Sequence, residues 1–385
     1  MHEDHWLLDR SIDFLNHGSY GATPRVVLEY QQKLRERMES QPLAFLGRDL
    51  EGLLDKAREG LAEFVGVNAD DLVSVPNATT AVNAVLRSLS RETGDEILIT
   101  DQTYNACRNA VEYVAGQHGI TVIVANVPFP LQSPEQITEA ILAKVSPRTK
   151  LVLLDHVPSV TALIWPVAEI VRELNRLGID TLIDGAHALG FLPLDVGSIA
   201  PTYYTANCHK WLCSPKGAAF LYVRPDRQAA IRPVTISHGA NSPRLDRSRF
   251  QLEFGWMGTD DPTAYLSVPR AIEFLESLYP GGLPELWQRN HEVILQAREI
   301  ICNALQVEIP CPDEMIGSMA SIPVPQSQVN GEKLYQKLIN EYSIEVPIMP
   351  WGEGKFVVRI CAHAYNSIDQ YERLAECLRE LENWR

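Results

Sequence analysis

Features that mark several classes of protein are missing from this 385-residue chain. Basic residues are fewer than acidic ones: the chain has 34 lysines and arginines and 49 aspartates and glutamates, which gives a formal net charge of −15. That balance argues against the basic surface of a nucleic-acid-binding or membrane-binding protein, although it leaves room for a small basic pocket. No apolar run approaches the length of a bilayer span, and the first residues show no secretory signal. We therefore expect a soluble, cytoplasmic protein that binds neither nucleic acid nor membrane.

The cysteines and the common site motifs exclude further classes. The seven cysteines are odd in number, scattered and never spaced as C-x-x-C, so neither a disulfide framework nor a structural zinc site is expected. The motifs G-x-x-x-x-G-K-[ST], H-E-x-x-H and G-x-G-x-x-G after a strand are also missing. Asp260 and Asp261 could bind a divalent cation, but adjacent acids on a loop are usually solvated, and we predict no metal site.

Short apolar runs alternate with helical patterns through the first two thirds of the chain. The runs predicted as strands are 73–75, 96–100, 122–124, 151–155, 181–184, 203–206 and 218–223. Helical patterns at 104–117, 134–145 and 166–177 separate most of the later ones. This alternation predicts an α/β fold with a mainly parallel seven-stranded sheet covered on both faces. In such sheets, groups that bind ligands collect at the carboxyl ends of the strands.

The pattern changes after about residue 262. Long helices are predicted at 263–279 and 283–305, strands at 315–323, 343–349 and 355–361, and a final helix at 367–383. A chain of this length usually forms two domains. We predict a large domain at 16–262 and a smaller α+β domain formed by 1–15 and 263–385.

Two residues near predicted strand ends indicate a particular chemistry. Asp184 ends an apolar strand, and Lys210 follows a second apolar run among aromatic neighbours. An acid and a lysine in this arrangement suit pyridoxal phosphate, because the amine can bond the aldehyde while the acid keeps the pyridine nitrogen protonated. Asp184 could instead cap a helix or bind a metal. Lys216 competes with Lys210, but its turn location leaves it more exposed.

Other polar residues could complete such a site. His187 could hydrogen-bond the phenolic oxygen of the ring, or it could be satisfied by backbone groups. The stretch 77–80 reads Asn-Ala-Thr-Thr between a strand and a helix, where free N–H groups and the helix dipole favour a phosphate. The same residues could simply cap the helix. Asn207 and His209 lie close enough to Lys210 along the chain to reach the same phosphate.

An aromatic residue and an arginine complete the set. Tyr104 follows a predicted strand and could stack on a flat cofactor, although packing is the commoner role of a tyrosine. Arg359 is a charge inside an apolar strand and therefore needs an anionic partner. A substrate carboxylate is one candidate, and a structural ion pair with a glutamate is another.

Taken together, these residues resemble the class V aminotransferase family of fold-type I pyridoxal-phosphate enzymes. The resemblance covers nearly the whole chain. It includes the stretches 14–21, 77–80, 155–157, 184–187, 208–211 and 258–259, and Arg359 with the later 365–366. The opening Leu-Asn-His-Gly-Ser and the stretch 345–351 are similar to the isopenicillin N epimerase-like subgroup.

The resemblance implies a role for each of these residues. Lys210 would carry pyridoxal phosphate, Asp184 would pair with its ring nitrogen, and His187 would contact its phenolic oxygen. Tyr104 would stack on the ring, and Arg359 would bind the substrate carboxylate. The predicted phosphate contacts are Ala78, Thr79, Thr80, Asn207 and His209. In this family a Gly-Thr pair reaches the neighbouring subunit's phosphate, so Thr259 implies a homodimer with shared active sites. Asn16 and His17, from the opening motif, are predicted substrate contacts.

The chain also departs from parts of the family. Cysteine desulfurases carry a reactive cysteine on a small-domain loop before the arginine strand, but the corresponding loop, 346–352, has none. Cys361 follows Arg359 on the predicted strand, so a persulfide-forming desulfurase is not expected. Many relatives have Asn where this chain has Ser159, which weakens inferences about substrate contacts there.

The resemblance leads us to expect an epimerase or racemase acting at Cα of an amino acid. Epimerisation needs a second acid besides Lys210, and Tyr104 and His17 are the candidates. A C–S lyase acting on cysteine or cysteine-sulfoxide conjugates and a transaminase are alternatives. A non-catalytic cofactor-binding protein is a further alternative, against which the intact Lys210 and Asp184 argue.

Overall fold

The computed structural model describes residues 2–90, 92–325, 330–352 and 354–380. Its strands are β1 (Asp13–Phe14), β2 (Leu72–Val75), β3 (Glu96–Thr100), β4 (Thr121–Ala125), β5 (Thr149–Asp155), β6 (Asp180–Asp184), β7 (Tyr203–Asn207), β8 (Ala219–Val223), β9 (Met319–Pro323), β10 (Ile344–Glu345), β11 (Ile348–Pro350) and β12 (Phe356–Cys361).

The α-helices are α1 (His17–Tyr20), α2 (Arg25–Ser40), α3 (Pro42–Ala44), α4 (Leu50–Phe64), α5 (Ala78–Ser88), α6 (Asn105–His118), α7 (Glu135–Leu142), α8 (Val167–Arg176), α9 (Val196–Ile199), α10 (Arg249–Gly255), α11 (Thr263–Leu266), α12 (Val268–Ser277), α13 (Gly282–Leu305), α14 (Gly331–Tyr342) and α15 (Ile368–Arg379). A π-helical turn covers Phe45–Asp49. Short 3-10 turns cover Glu3–His5, Ala69–Asp71, Pro225–Ala230, His238–Asn241 and Asp313–Met315.

The central sheet has seven strands in the order β2-β8-β7-β6-β5-β3-β4. Strand β8 runs antiparallel to both of its neighbours, and the other pairs are parallel. Because β8 alone is reversed, the carboxyl ends of the remaining strands meet at one edge. The predicted α/β fold with a mainly parallel seven-stranded sheet is confirmed.

Burial on both faces explains why the central strands are apolar throughout. On β5, Leu151 and Leu153 belong to one hydrophobic core, while Val152 and Leu154 belong to the other. Successive side chains of a strand point to opposite faces, so helices on both sides of a sheet require apolar residues at every position. Charged residues are therefore confined to the ends of these strands, and a buried hydroxyl such as that of Thr205 within β7 is satisfied by donating to the Phe220 carbonyl.

The C-terminal third forms a three-stranded antiparallel sheet, β11-β12-β9, with α13 and α15 packed together beside it. The predicted strand at 315–323 begins only at β9, since residue 315 ends a 3-10 turn and residues 316–318 form a bend before the strand. The predicted strand at 343–349 is divided into β10 and β11, and the predicted helix at 263–279 is divided into α11 and α12. Helix α10 is not among the predicted elements, and residues 381–383 of the predicted last helix lie outside the described residues.

The N-terminal segment joins this C-terminal part, since β1 pairs in parallel with β10. The grouping of residues 1–15 with the smaller domain and the boundary at 262 both stay predictions. Among the described residues, no helix combines the length and the apolar character that a bilayer span requires.

Candidate active site

Polar residues gather in one cavity at the carboxyl edge of the central sheet. Asp155 at the end of β5 pairs in register with Asp184 at the end of β6, and Asn207 ends the next strand, β7. The cavity has a volume of about 160 Å³. Its lining residues are Ser19, Tyr20, Asn77, Ala78, Thr79, Tyr104, Asp155, Val157, Ser159, Asp184, Ala186, His187, Asn207, His209 and Lys210.

Lys210 lies on the turn after β7 and reaches His187, with 3.0 Å between Nζ and Nε2. The other ring nitrogen of His187, Nδ1, is buried and has no hydrogen-bond partner among the residues that the structure describes. Burial, helped by the charge of Arg359 and opposed by Asp184, lowers the pKa of Lys210 to about 8. A substantial fraction of the amine is therefore neutral near physiological pH, as a nucleophile or base must be.

His17 and Gly21 position the backbone of Lys210. Nε2 of His17 donates to the Lys210 carbonyl at 3.0 Å, and Nδ1 accepts from the hydroxyl of Tyr365 at 2.7 Å. Burial lowers the pKa of His17 to about 3, so the ring is neutral. Gly21 has φ +66°, and a Cβ atom there would lie 2.1 Å from the His209 carbonyl oxygen. His17 thus holds the backbone of Lys210 and does not line the cavity. Its position gives no support to the predicted contact between His17 and the substrate.

A buried cluster continues below Lys210. His17, Cys213 and His363 place one potential ligand atom each within 4.8 Å of one another. Both nitrogens of His17 are already used in hydrogen bonds, to Tyr365 and to the lysine carbonyl. The cluster therefore packs and forms hydrogen bonds against the turn that carries Lys210.

Asp184 is held by two donors. The thiol of Cys107 donates to Oδ2 at 3.2 Å, and the N–H of Ala186 donates to Oδ1 at 3.0 Å. Burial raises the pKa of Asp184, while these two donors and Lys210 oppose the rise. A carboxylate held in a buried site by several donors is a suitable partner for a cationic ring N–H.

The start of α5 forms a second wall of the cavity. Asn77 caps the helix by accepting from the N–H of Thr80 at 2.9 Å, and it also accepts from the Thr80 hydroxyl. The side-chain oxygen of Asn207 accepts from the N–H of Ala78 at 2.9 Å. The helix start is thereby tied to β7, and its positive dipole end, with Thr79, faces the cavity. Thr80 does not line the cavity, and its phosphate contact stays a prediction.

Arg359 is buried on β12 without an ion-pair partner among the described residues. Its guanidinium donates to the Ser159 carbonyl at 2.6 Å and to the Ser159 hydroxyl at 3.0 Å. It also donates to the Ser19 hydroxyl at 3.0 Å, while its buried Nε has no partner within the described ranges. Of the two partners considered from sequence, the structural glutamate is not found. An incoming carboxylate therefore remains the candidate.

The remaining predicted residues lie at different distances from the cavity. Tyr104 lines it from the start of α6, with 47 % of the residue exposed. His209 also lines it, and burial lowers the pKa of its ring to about 4. Asn16 lines an adjoining cavity and donates to Glu345 at 3.0 Å. Thr259 is exposed and lies outside the cavity within this chain, so its predicted role requires a second subunit.

The structure adds Asp155, Cys107 and Ser159 to the site. Asp155 ends a buried strand exactly as Asp184 does, so the sequence contained a signal for it. Cys107 lies three positions after Tyr104 on α6, and nothing in its sequence neighbourhood distinguishes it from a core cysteine. Ser159 marked a departure from the family pattern, and the structure makes it the main contact of Arg359.

The residues present fit an anionic aromatic aldehyde. The cavity joins a lysine amine with a lowered pKa, a buried carboxylate and a helix start. Two buried polar atoms in it, His187 Nδ1 and Asp155 Oδ2, have no partner in the part of the chain that the structure describes. Unpaired buried atoms of this kind indicate a ligand-binding site, because each one lowers the stability of the folded protein by about 1–3 kcal/mol unless a ligand pairs with it.

Fold and site together define a fold-type I enzyme that uses pyridoxal phosphate. The aminotransferase class-V family matches residues 15–374, and the chain belongs to that family. It is 35 % identical to isopenicillin N epimerase of Amycolatopsis lactamdurans over 97 % of this chain and 96 % of that protein. It is 29 % identical to a probable chloroplastic L-cysteine desulfhydrase of Arabidopsis thaliana over 95 % and 82 % of the respective chains.

A solved structure supports the same fold. A variant of the protein C-DES, with glycine covalently linked to its pyridoxal-phosphate cofactor, superposes with a TM-score of 0.80. The two chains are 23 % identical, over 96 % of this chain and 97 % of that one. The predictions of the family, the fold type and the pyridoxal phosphate cofactor are confirmed.

Proposed function

We propose that this protein is an epimerase or racemase that inverts Cα of an amino acid with an extended side chain. The observation that carries the proposal is a second cavity, of about 640 Å³, beside the first. The two cavities share Tyr104 and Ser159 as lining residues. A substrate held at the inner cavity could therefore extend its side chain outward into the second one. The similarity to isopenicillin N epimerase supports the same proposal.

The outer cavity has walls suited to a long, partly apolar group with an anionic end. Phe129 meets Trp351 edge to face, with ring centroids 5.3 Å apart. Arg108 and Lys355 also line the cavity. Asp101, an acid in the same lining, is engaged by the N–H of Val127 at 3.0 Å. Arg108 already donates to the Thr100 carbonyl at 2.8 Å and lies near Asp101, so Lys355 is the stronger candidate for a distal carboxylate. Aromatic walls beside this cation favour a substrate with an apolar segment and an anionic end.

The inner cavity would bind and deprotonate the amino-acid end. Bound pyridoxal phosphate supplies the electron sink that stabilises negative charge at Cα. Arg359 and Ser159 would hold the α-carboxylate, and the neutral amine of Lys210 would remove the Cα proton. Tyr104 would return a proton from the opposite face. Burial raises the pKa of its hydroxyl, so Tyr104 stays protonated and able to donate.

A second function, C–S lysis, is favoured by the similarity to L-cysteine desulfhydrases. That reaction would need Lys210 and a sulfur leaving group but no acid on the opposite face. Persulfide transfer on the protein has less support, because the seven cysteines are all buried. Cys361 in particular lies on β12 with no exposed surface.

The test offers the holoenzyme a panel of amino acids, including cysteine, cysteine conjugates and long peptide-like amino acids, in D₂O. Epimerisation predicts deuterium at Cα together with loss of optical purity, measured by chiral chromatography, without release of keto acid. Release of pyruvate, ammonia and a thiol (hydrogen sulfide from cysteine), with the configuration of the remaining substrate unchanged, would instead establish the lyase.

Two variants sharpen the result. Tyr104→Phe should abolish inversion while deuterium exchange at the Lys210 face continues. Trp351→Ala should raise KM for long substrates and leave the kinetics of cysteine unchanged. If Trp351→Ala impaired turnover of short and long substrates equally, the outer cavity would not be the binding site of the side chain.

We also propose a homodimer in which each active site receives Thr259 from the partner subunit. The exposure of this threonine in the single chain supports the idea. Mixed dimers of Lys210→Ala and Thr259→Ala subunits would test it. If Thr259 acts across the interface, one active site of each mixed dimer lacks both Lys210 and Thr259, and the other site has both. Mixing the two nearly inactive variants should therefore restore activity.

A further inference from the structure

Three polar side chains meet at the inner end of the active-site cavity. Asp155 and Asp184 stand side by side in register on β5 and β6, and both are 4 % exposed. The thiol of Cys107, on α6, donates to Asp184 at 3.2 Å. Residues at matching positions of parallel strands point to the same face, so both carboxyl groups serve one cavity. Two buried carboxyl groups this close cannot both be ionised without a large electrostatic cost.

The hydrogen bonds divide the two acids into different roles. Asp184 accepts from two donors, the Cys107 thiol and the Ala186 N–H, and both donors favour the ionised form. Asp155 is approached by one such donor, the N–H of Tyr104, and its buried Oδ2 has no partner among the described residues. An unpaired oxygen is far less costly on a neutral acid than on a carboxylate. Two donors on Asp184 against one on Asp155, together with the unpaired Oδ2, favour ionisation of Asp184 and protonation of Asp155.

We propose that the two carboxyl groups carry one proton between them, with Asp155 as the neutral acid and Asp184 as the carboxylate, and that Cys107 maintains this division. Asp155 and Cys107 are then positioning residues: they act on the cofactor ring through the charge of Asp184. A single negative charge is presented to the ring nitrogen. The unpaired oxygen of Asp155 is free to form a hydrogen bond with a bound group.

The titratable groups around the pair agree with this division. Burial and the neighbouring Asp184 raise the pKa of Asp155 well above its usual range. The groups that face Asp155 are Asp184 from β6, Cys107 from α6 and Lys210 from the turn after β7. Burial and the two aspartates raise the pKa of Cys107, so the thiol keeps its proton and remains a donor. The inference concerns the cofactor end of the site and holds for an epimerase and a lyase alike.

Infrared spectroscopy of the holoenzyme at neutral pH tests the proton directly. A carbonyl-stretch band of a protonated carboxylic acid should be present, should move when aspartate carboxyls carry carbon-13, and should vanish in Asp155→Asn. The exposed, ion-paired Asp226 gives the matched control, and Asp226→Asn should leave the band unchanged. Absence of the labelled band from the wild-type protein, or its survival in Asp155→Asn, would overturn the proposal. The wild-type spectrum decides alone if the variant does not fold.

A second readout is the pH at which the absorbance of bound cofactor changes. Replacing a neutral acid by its amide removes no charge, so Asp155→Asn should move this midpoint by less than about half a unit. A fall of about one unit or more would show that Asp155 is ionised and would overturn the proposal.

The role of Cys107 has its own pair of variants. Cys107→Ser keeps a donor to Asp184 and should keep the acid band, whereas Cys107→Ala removes the donor and should shift the band as the proton redistributes. Identical bands in all three proteins would exclude Cys107 from the cluster.

Discussion

Arg359 donates two hydrogen bonds to Ser159, at 2.6 Å to its carbonyl oxygen and 3.0 Å to its hydroxyl. Arginine and serine come from different parts of the chain, β12 and the loop after β5. Their contact brings the C-terminal sheet to the edge of the cavity, beside Tyr104. The guanidinium is thus oriented before any substrate arrives, which lowers the entropy cost of binding a carboxylate.

Substitutions at this pair should separate binding from chemistry. Arg359→Lys loses the planar fork and should raise KM about 10- to 100-fold, with a smaller change in kcat. Ser159→Ala removes the hydroxyl but keeps the contact with the carbonyl oxygen, so KM should rise only about 2- to 10-fold. Steady-state kinetics with the best substrate of the panel would measure both. A larger effect at Ser159 than at Arg359 would contradict the assignment.

Lys210 should show its lowered pKa when apoprotein captures the cofactor. Only the neutral amine attacks an aldehyde, so the capture rate should rise with pH and level off above about 8, the pKa set by burial. Stopped-flow absorbance over a pH series gives the profile. Lys210→Ala should abolish both the absorbance and turnover. Lys216→Ala, which removes a lysine that bonds the Gly21 carbonyl, should keep both. A rate that still rises steeply at pH 10 would refute the lowered pKa.

Asp184→Asn should leave a protein that holds cofactor but is slow. An amide cannot stabilise a cationic ring N–H as a carboxylate does, so kcat should fall about 10²- to 10³-fold. The absorbance of bound cofactor reports loading independently of rate. A variant that is fully loaded and nearly as fast as wild type would count against the role of Asp184.

Gly21→Ala should disturb the fold around the lysine turn. Its φ of +66° and the backbone oxygen that a Cβ would meet at 2.1 Å predict a loss of at least ~2 kcal/mol in the free energy of unfolding. Gly116, inside α6, has no atom within 4 Å of the corresponding position. Gly116→Ala should therefore gain about 0.5–1 kcal/mol through helix propensity. Urea unfolding of the two variants compares them, and equal stabilities would dismiss the strain argument.

The sheet and part of the site could be predicted because their signals are local. An apolar run followed by Asp or Asn identifies a buried strand and its carboxyl end, and Asp184 was recognised in this way. His17 was assigned to the substrate from its motif alone. Its actual partner, the Lys210 carbonyl, lies far along the chain, and no local pattern specifies which side of a lysine turn a histidine will pack against.

The sequence by itself determined the alternation of strands and helices and the chemical types available at the strand ends, because burial on both faces of a sheet restricts charged residues to those ends. Only the tertiary structure decided which of these residues share a cavity. Strand order set Asp155 beside Asp184, and the packing of α6 brought the Cys107 thiol to the same carboxylate. Distances of about 3 Å between residues remote in the chain depend on how whole elements pack, and hydrophobic burial rather than local propensity determines that packing.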